Sequence, residues 1–264
     1  MKLFYRAYGT GRPLIILHGL FGMSDNWIDI AKSLSDSFRV YLPDLRNHGN
    51  SPHDSSHTYT IMSEDIVEFL NDRNIQSAFF IGHSMGGKLV MHFANRYPER
   101  VEKMIIVDIS PRMNNENERM DSKKGNHKEI ISILFEINEK QFKDRKLMID
   151  YLNDRITDVF TQQLIQKNLR KNSEQIYETK INIEAIDRCF NEIGGEIILG
   201  ENVRYLSVMF LFGSESPYHD TTDEIYIREK MPYSQIKIVK NAGHLVHIEN
   251  RNDFLKLTRT FFDL

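Results

Sequence analysis

The chain has 264 residues, 41% of them hydrophobic and 27% charged, as in a globular protein with one large domain or one domain and an insertion. A net charge of −3, from 34 basic and 37 acidic side chains, argues against nucleic-acid binding. The lone Cys189 excludes an internal disulfide, and the apolar runs are too short for a signal peptide or a membrane span. We therefore expect a cytoplasmic monomer or homodimer without stable membrane insertion.

Seven short apolar runs predict β-strands separated by segments of helical length. The runs are LFYRAY at 3–8, PLIIL at 13–17, RVYLP at 39–43, SAFFI at 77–81, MIIVD at 104–108, LSVMFLF at 206–212 and QIKIV at 235–239. Nearly continuous apolar runs of this kind are typical of a parallel sheet that is buried on both faces. The alternation of strands and helices predicts an α/β fold with a mostly parallel central sheet and helices on both faces.

The helices between these strands have recognisable starts and stops. In TIMSEDIVEFLNDR, Ile61, Asp65 and Phe69 recur at helical spacing, and Thr60 is a candidate N-cap. KLVMHFANRYP stops at Pro98, and RNDFLKLTRTFF predicts a closing helix.

Residues 112–200 break this alternation. A polar stretch, MNNENERMDSKKGNHKE, predicts a mobile linker, and amphipathic segments follow it. We interpret 112–200 as a helical cap inserted into a core formed by 1–111 and 201–264. The alternative is an ordinary set of helices that cover the sheet.

Gly82-His83-Ser84-Met85-Gly86 follows a predicted strand and precedes a predicted helix, and it fits the pattern G-x-S-x-G. A strand that turns directly into a helix forces the central serine into a strained conformation and exposes its hydroxyl. The free N–H groups at the helix start favour developing negative charge. Ser84 is therefore the candidate nucleophile.

A serine hydroxyl needs a base, and NAGHLVHIE supplies two histidines near the C-terminus. We favour His244 because the small residues Ala242 and Gly243 place it in a loop. His247 is the competitor, and it is expected to pack in or near the following helix.

An oxyanion intermediate requires backbone N–H donors. Met85 directly follows the nucleophile, and HGLFG at 18–22 supplies Leu20, with Phe21 as the alternative. For His18 we favour a role in shaping this loop over a direct role in proton transfer.

Together, HGLFG, PDLRNHGNSPH, GHSMGGK, VDISP and NAGHLVHIE resemble the α/β-hydrolase superfamily, in particular small bacterial esterases and their mitochondrial abhydrolase relatives. This resemblance covers most of the chain and is weakest in the predicted cap. It implies a serine esterase or thioesterase without a cofactor. The implied substrates are short to medium acyl esters or acyl-CoA.

The acidic partner of the histidine is ambiguous, because Ser216 occupies the position where many members of this superfamily carry the acid. Asp108 ends a predicted strand beside the nucleophile, while Asp220 lies further along the loop and Glu215 is adjacent to Ser216. Strand ends at one sheet edge lie close together, so we favour Asp108. The resembling esterases also use the VDIS aspartate.

Phe21, Arg46 and His48 are candidate substrate contacts, although for Arg46 and His48 we favour a role in holding their own loop. Lys88 is interpreted as a structural or surface residue. The histidine spacing is unlike that of zinc sites, so no metal is expected. Competing functions are carbon–carbon bond hydrolysis, lyase or perhydrolase chemistry on the same fold, and a non-catalytic ligand receptor.

Overall fold

A computed structural model describes residues 1–113 and 127–264. Most of the predicted mobile linker, residues 114–126, lies outside the described residues.

The central sheet of the described chain contains all seven predicted strands, in the spatial order β1-β3-β2-β4-β5-β8-β9. Every neighbouring pair is parallel except β1 and β3, which run antiparallel. This arrangement confirms the predicted α/β fold. The strands are β1 (Tyr5–Tyr8), β2 (Arg12–Leu17), β3 (Phe38–Pro43), β4 (Ala78–His83), β5 (Val101–Val107), β8 (Val208–Gly213) and β9 (Gln235–Val239), and a separate antiparallel hairpin contains β6 (Leu169–Lys171) and β7 (Tyr177–Thr179).

Helices cover both faces of the sheet. They are α1 (Ile28–Leu34), α2 (Tyr59–Asn71), α3 (Met85–Arg96), α4 (His127–Lys140), α5 (Arg145–Asn153), α6 (Val159–Lys167), α7 (Ile183–Arg188), α8 (Phe190–Gly194), α9 (Thr221–Lys230), α10 (Val246–Glu249) and α11 (Arg251–Phe261). None of the helices in the described ranges is long and apolar enough to cross a membrane.

Alternate residues of each central strand enter two hydrophobic cores. In β2, Leu14 and Ile16 pack in the core covered by α1 and α11. Ile15 and Leu17 face the opposite core, under α2 and α3. A strand points successive side chains to opposite faces, which is why an unbroken apolar run encodes a strand buried on both sides.

The segment between β5 and β8 contains α4 to α8 and the β6–β7 hairpin. Its buried side chains, such as Leu134, Leu152 and Ile165, belong to the same continuous core as the α2–α3 face of the sheet. Its helices contact mainly one another and the β6–β7 hairpin, and the interpretation of residues 112–200 as an inserted cap stays a prediction.

The predicted N-cap of α2 needs correction, whereas the structure selects one of the two roles expected of Lys88. Helix α2 begins earlier than expected, because the Thr58 hydroxyl accepts the N–H of Ile61 and makes Thr58 the N-cap in place of Thr60. Lys88 has the structural role and not the surface one, since it is 1% exposed. Its ammonium donates to the carbonyls of Arg112 (3.0 Å), Gly194 (3.0 Å) and Gly195, which ties the start of α3 to the ends of the segment between β5 and β8.

Candidate active site

Ser84 lies at the junction of β4 and α3 with φ 52° and ψ −120°. A non-glycine residue held at positive φ costs roughly 1–3 kcal/mol and persists only where its surroundings fix it. Close packing fixes it here: a Cβ on Gly82 would lie 2.4 Å from the Gly86 carbonyl oxygen, and a Cβ on Gly86 would lie 2.4 Å from that of Leu17. Only glycines allow this tight strand-to-helix turn.

Asp108 follows β5, the strand next to β4, and is fully buried. Its Oδ2 lies 2.7 Å from Nδ1 of His244 and also accepts the hydroxyl of Ser216. Its Oδ1 accepts the N–H of Gly213 at 2.9 Å. The favoured acid and base are thus in direct contact, and Ser216 hydrogen-bonds the carboxylate from the position where an acid was expected.

Backbone hydrogen bonds between neighbouring strand ends hold these residues together. The N–H of Ser84 donates to Val107 at 3.0 Å, and the N–H of Asp108 donates to Leu211 at 2.9 Å. Asp108 has a positive φ of 53°. The sheet register therefore sets the spacing between the nucleophile and the acid.

Burial raises the pKa of Asp108 to about 7, while the hydrogen bonds from Ser216 and Gly213 act in the opposite direction. The Asp108 carboxylate contacts Nδ1 of His244 at 2.7 Å. Nδ1 of His244 carries the hydrogen of this contact when the carboxylate is ionised, which leaves Nε2 as the proton acceptor.

Two residues that the sequence did not single out hold the His244 loop. The Glu249 carboxylate accepts the N–H groups of Gly243 (2.8 Å) and Leu245 (2.9 Å), on either side of His244. Nε2 of His83 donates to the carbonyl of His244 at 2.9 Å. Burial, followed by the nearby His244, lowers the pKa of His83 to about 3, so that its ring stays neutral. The sequence shows that Glu249 follows Gly243 by six positions, but this spacing alone does not indicate that its carboxylate binds the backbone of the His244 loop.

The competing acids and base have other positions. Asp220 is the N-cap of α9, accepts the N–H of Asp223 at 2.9 Å and lies 3.7 Å from Arg112. Glu215 is exposed. His247 is 3% exposed and stacks on Trp27, with ring centroids 3.8 Å apart.

The HGLFG segment forms a turn in which the N–H of Gly22 donates to the carbonyl of Gly19 at 2.9 Å. Such a turn leaves the N–H groups of its central residues, Leu20 and Phe21, outside the turn hydrogen bond. A Cβ on Gly19 would lie 3.2 Å from Cβ of Ser84, so the turn passes directly against the nucleophile. Met85 is the first residue of α3, where the backbone N–H has no partner within the helix.

His18 shapes this turn, in line with the favoured interpretation. Its Nδ1 donates to the carbonyl of Gly19 (2.8 Å), and its Nε2 accepts the N–H of Leu45 (2.9 Å). Burial lowers its pKa to about 4, so the ring is neutral and its tautomer is set by these two partners. Because His18 holds the Gly19 carbonyl, it also fixes the plane of the peptide that carries the N–H of Leu20.

For Arg46 and His48 the contacts support the favoured interpretation, and not the alternative role at the entrance. Arg46 is 5% exposed, and its guanidinium binds both carboxylate oxygens of Asp65, at 2.6 and 2.8 Å. His48 is fully buried and donates from Nδ1 to the carbonyl of Arg46. Burial lowers the pKa of His48 to about 3, so it carries no charge that would attract an anion. Both residues hold their own loop.

An aromatic group lies around His244. The Tyr218 ring is 4.3 Å from the His244 ring and 6.3 Å from that of His127, at the start of α4. His127 in turn lies 5.7 Å from Phe21 and 6.4 Å from Phe190. Phe21 was a predicted substrate contact; His127, Phe190 and Tyr218 were missed, because they come from three distant parts of the chain.

The chain is similar to known proteins of the α/β-hydrolase fold. The family model for the alpha/beta hydrolase fold matches residues 12–129. A putative esterase/lipase of Haemophilus influenzae is 31% identical over 95% of this chain and 83% of its own length. The sn-1-specific diacylglycerol lipase ABHD11 of Danio rerio is 33% identical over 96% of this chain and 79% of its own length.

Among solved structures, a marine microorganism esterase superposes with a TM-score of 0.92 at 38% identity, covering 98% of this chain and 99% of that protein. The two sequence relatives and the marine esterase each match this chain over nearly its whole length. The chain therefore belongs to the α/β-hydrolase family, and within it to the small carboxylic-ester hydrolases related to abhydrolase-domain proteins.

Proposed function

We propose that the chain hydrolyses carboxylic esters through an acyl-enzyme on Ser84, with His244 as the base and Asp108 as its acidic partner. The observation that carries this proposal is the 2.7 Å contact between Nδ1 of His244 and the buried carboxylate of Asp108, beside a serine at φ 52°. The His83 ring, from the residue before Ser84, lies 4.6 Å from the His244 ring, which supports a base near the nucleophile.

In the acylation step, Oγ of Ser84 attacks the acyl carbonyl while Nε2 of His244 takes the hydroxyl proton. The tetrahedral intermediate collapses when the bond to the alcohol oxygen breaks, and His244 returns the proton to that oxygen. Asp108 stabilises the imidazolium that forms between these two transfers. Water then attacks the acyl-enzyme with the same base, and the acid is released.

The negative charge of each tetrahedral intermediate needs donors that are already oriented. We assign this role to the N–H groups of Leu20 and Met85, with Phe21 as the alternative to Leu20. The Leu20 N–H belongs to a peptide whose carbonyl, on Gly19, is held by both His18 and Gly22. One such donor is worth on the order of 3 kcal/mol in the transition state.

For the substrate we propose short to medium acyl esters, with thioesters of the same acyl groups as the second class. The aromatic group of Phe21, His127, Phe190 and Tyr218 favours an apolar acyl or alcohol portion. The closed ion pair of Arg46 with Asp65 removes the reason to expect recognition of a CoA phosphate there.

A panel of p-nitrophenyl esters from two to twelve carbons, run beside acyl-CoA thioesters of matched length, tests both parts of this proposal. We expect turnover of the shorter and medium esters, and covalent labelling of Ser84 by a fluorophosphonate probe. Ser84→Ala is the control, and it should abolish both signals. Turnover that persists in Ser84→Ala, or preferential cleavage of β-diketones, would instead indicate different chemistry on this fold.

A further inference from the structure

We propose that Asn168, from the segment between β5 and β8, is a positioning residue for the turn that supplies the oxyanion donor. Through this residue the helical segment takes part in acyl transfer as well as enclosing the site. The inference deepens the proposed function and rests on it, because a tetrahedral oxyanion forms only if Ser84 acts as the nucleophile.

Asn168 is fully buried at the end of α6. Its Nδ2 donates to the carbonyl of Phe21 in the HGLFG turn, and to the carbonyl of Leu164 at 3.0 Å. Both neighbours are carbonyl oxygens, which only accept, so the side-chain nitrogen must be the atom that faces them. The contact joins residues 147 positions apart in the chain.

The backbone of Asn168 is itself held on both sides. Its N–H donates to the carbonyl of Ile165 at 2.9 Å, and its carbonyl accepts the N–H of Lys180 at 2.7 Å. The first bond ends α6, and the second connects to the chain that leaves β7. The side-chain amide is therefore presented to Phe21 from a fixed support.

Phe21 is a residue whose conformation needs such support, because its φ is +60°. A non-glycine residue in this region relaxes toward negative φ unless neighbouring contacts oppose it. The Gly19 carbonyl is already held by His18 and Gly22, and the Phe21 carbonyl belongs to the peptide that carries the Gly22 N–H, the donor of the turn hydrogen bond. Releasing it would let the peptides of Leu20 and Phe21 rotate away from Ser84.

The remaining polar atom of Asn168 also points to a role beyond stability. Its Oδ1 is buried without a hydrogen-bond partner among residues 1–113 and 127–264. A buried unpaired oxygen opposes folding, whereas an apolar side chain of similar size would carry no such penalty. The useful property of the side chain at this position is therefore its directed N–H donor.

Asn182 provides a matched control from the same segment. Its Nδ2 donates to Oδ1 of Asn47 (3.1 Å) and to the carbonyl of Asp54 (3.0 Å), and its Oδ1 caps α7 through the N–H of Ala185. It thus links the helical segment to the core with at least as many hydrogen bonds as Asn168. Its partners lie in the loop after β3 and not in the HGLFG turn.

The experiment compares Asn168→Leu, Asn168→Asp and Asn182→Ala in the full chain. Each variant is assayed for kcat and KM on p-nitrophenyl acetate, and for inhibition by phenylboronic acid, which forms a tetrahedral adduct on the serine. Because removing one oxyanion donor costs about 100-fold to 1000-fold, and these variants displace the donor without removing it, we expect kcat of both Asn168 variants to fall about 10-fold to 100-fold, with KM within about twofold. Phenylboronic acid affinity should fall in parallel, and Asn182→Ala should keep kcat within about twofold.

Equal losses of kcat in Asn168→Leu and Asn182→Ala would overturn the proposal, because they would show a general effect of loosening the helical segment. A rise in KM at unchanged kcat would also overturn it. If Asn168→Leu does not fold, the comparison is made with Asn168→Asp, which keeps the shape but loses the N–H. Turnover that survives in Ser84→Ala would reject the proposed function itself, whereas a silent Ser84→Ala with fully active Asn168 variants would reject only this inference.

Discussion

Two regions at the carboxyl edge of the sheet carry buried polar side chains, and they have opposite organisation. The loop after β3, residues 44–58, contains Arg46 paired with Asp65 and the buried rings of His48 and His57. The loops after β4, β5 and β9 bring Ser84, Asp108 and His244 together. In the first region the charges neutralise one another within the protein. In the second, the His244 ring keeps part of its surface exposed beside the buried carboxylate of Asp108, and Ser84 is the proposed nucleophile.

This difference separates the two interpretations of Arg46 and His48, and it supports the favoured one, in which both residues hold their own loop. RNHGNSP and GHSMGGK both combine glycine with histidine and a cation after a strand. Burial and pairing separate them, because a charge that is already neutralised by a buried partner cannot also recruit a substrate anion. We therefore expect substitutions in the second region to change activity, and substitutions in the first to change stability.

The largest expected effect is that of Ser84→Ala. Removing the nucleophile should lower kcat on p-nitrophenyl acetate by a factor of about 10⁴ or more. The Tm should not fall, since the strained position stays the same and no buried hydrogen bond is lost. Ser51→Ala, in the loop after β3, is the matched control. It removes a hydroxyl that donates to the carbonyl of Asp44, so it should cost about 1 kcal/mol of stability with little change in kcat.

The second effect concerns the acid. Asp108→Asn should lower kcat by about 10⁴, because an amide at this position favours the wrong tautomer of His244. Asp220→Asn should stay within about threefold of the parent enzyme, since Asp220 caps α9. Steady-state kinetics on the purified variants distinguish Asp108 from Asp220 as the acid. A collapse of Asp220→Asn alongside an active Asp108→Asn would move the acid to the loop after β8.

The third effect falls on stability. Arg46→Met would leave the Asp65 carboxylate buried with only part of its present pairing, and should lower the free energy of unfolding by about 3 kcal/mol in urea titrations. Arg6→Met breaks the more exposed pair with Asp25 and should cost less than about 1 kcal/mol. Activity per folded molecule should change little in both. An Arg46→Met protein of normal stability with a raised KM for acyl-CoA would restore the role at the entrance.

The smallest effect is a shift in pH dependence. Because burial raises the pKa of Asp108 to about 7 and the reaction needs its carboxylate, kcat/KM should fall as the pH drops through about 7. The Ser216 hydroxyl lowers this pKa, so Ser216→Ala should move the midpoint of the acidic limb upward. The loss of kcat/KM in Ser216→Ala, relative to the parent enzyme, should be larger at pH 6 than at pH 9. Ser214→Ala, an exposed serine in the same loop, should leave the midpoint in place.

The same pKa has the opposite consequence for stability. Its value in the folded protein lies above the ordinary 3.8, so the folded state binds more protons than the unfolded state between about pH 4 and 7. The contribution of Asp108 to stability therefore decreases as the pH rises through this window. Urea titrations of the parent and Asp108→Asn at pH 5 and pH 8 should show the smaller pH dependence in the variant.

The sequence by itself determined the strands, the family and the residue types at the reactive positions. Apolar runs of strand length predict strands that are buried on both faces. Gly82 and Gly86 are required on either side of Ser84, because a Cβ at either position would lie 2.4 Å from a backbone carbonyl oxygen. The position of Asp108 at a strand end also followed from the rule that neighbouring strand ends lie together. These inferences succeed because they depend on local periodicity and on short-range sterics.

Only the tertiary structure decided what each polar side chain contacts. It paired Arg46 with Asp65, and it brought Asn168 to the carbonyl of Phe21 across 147 positions. It also placed the Glu249 carboxylate where it accepts the backbone N–H groups on either side of His244. No spacing rule in a single sequence relates Arg46 to Asp65 or Asn168 to Phe21, because their distances depend on how distant parts of the chain pack together. Short sequence motifs thus indicate the residues proposed to react, whereas the contacts that orient those residues depend on tertiary packing.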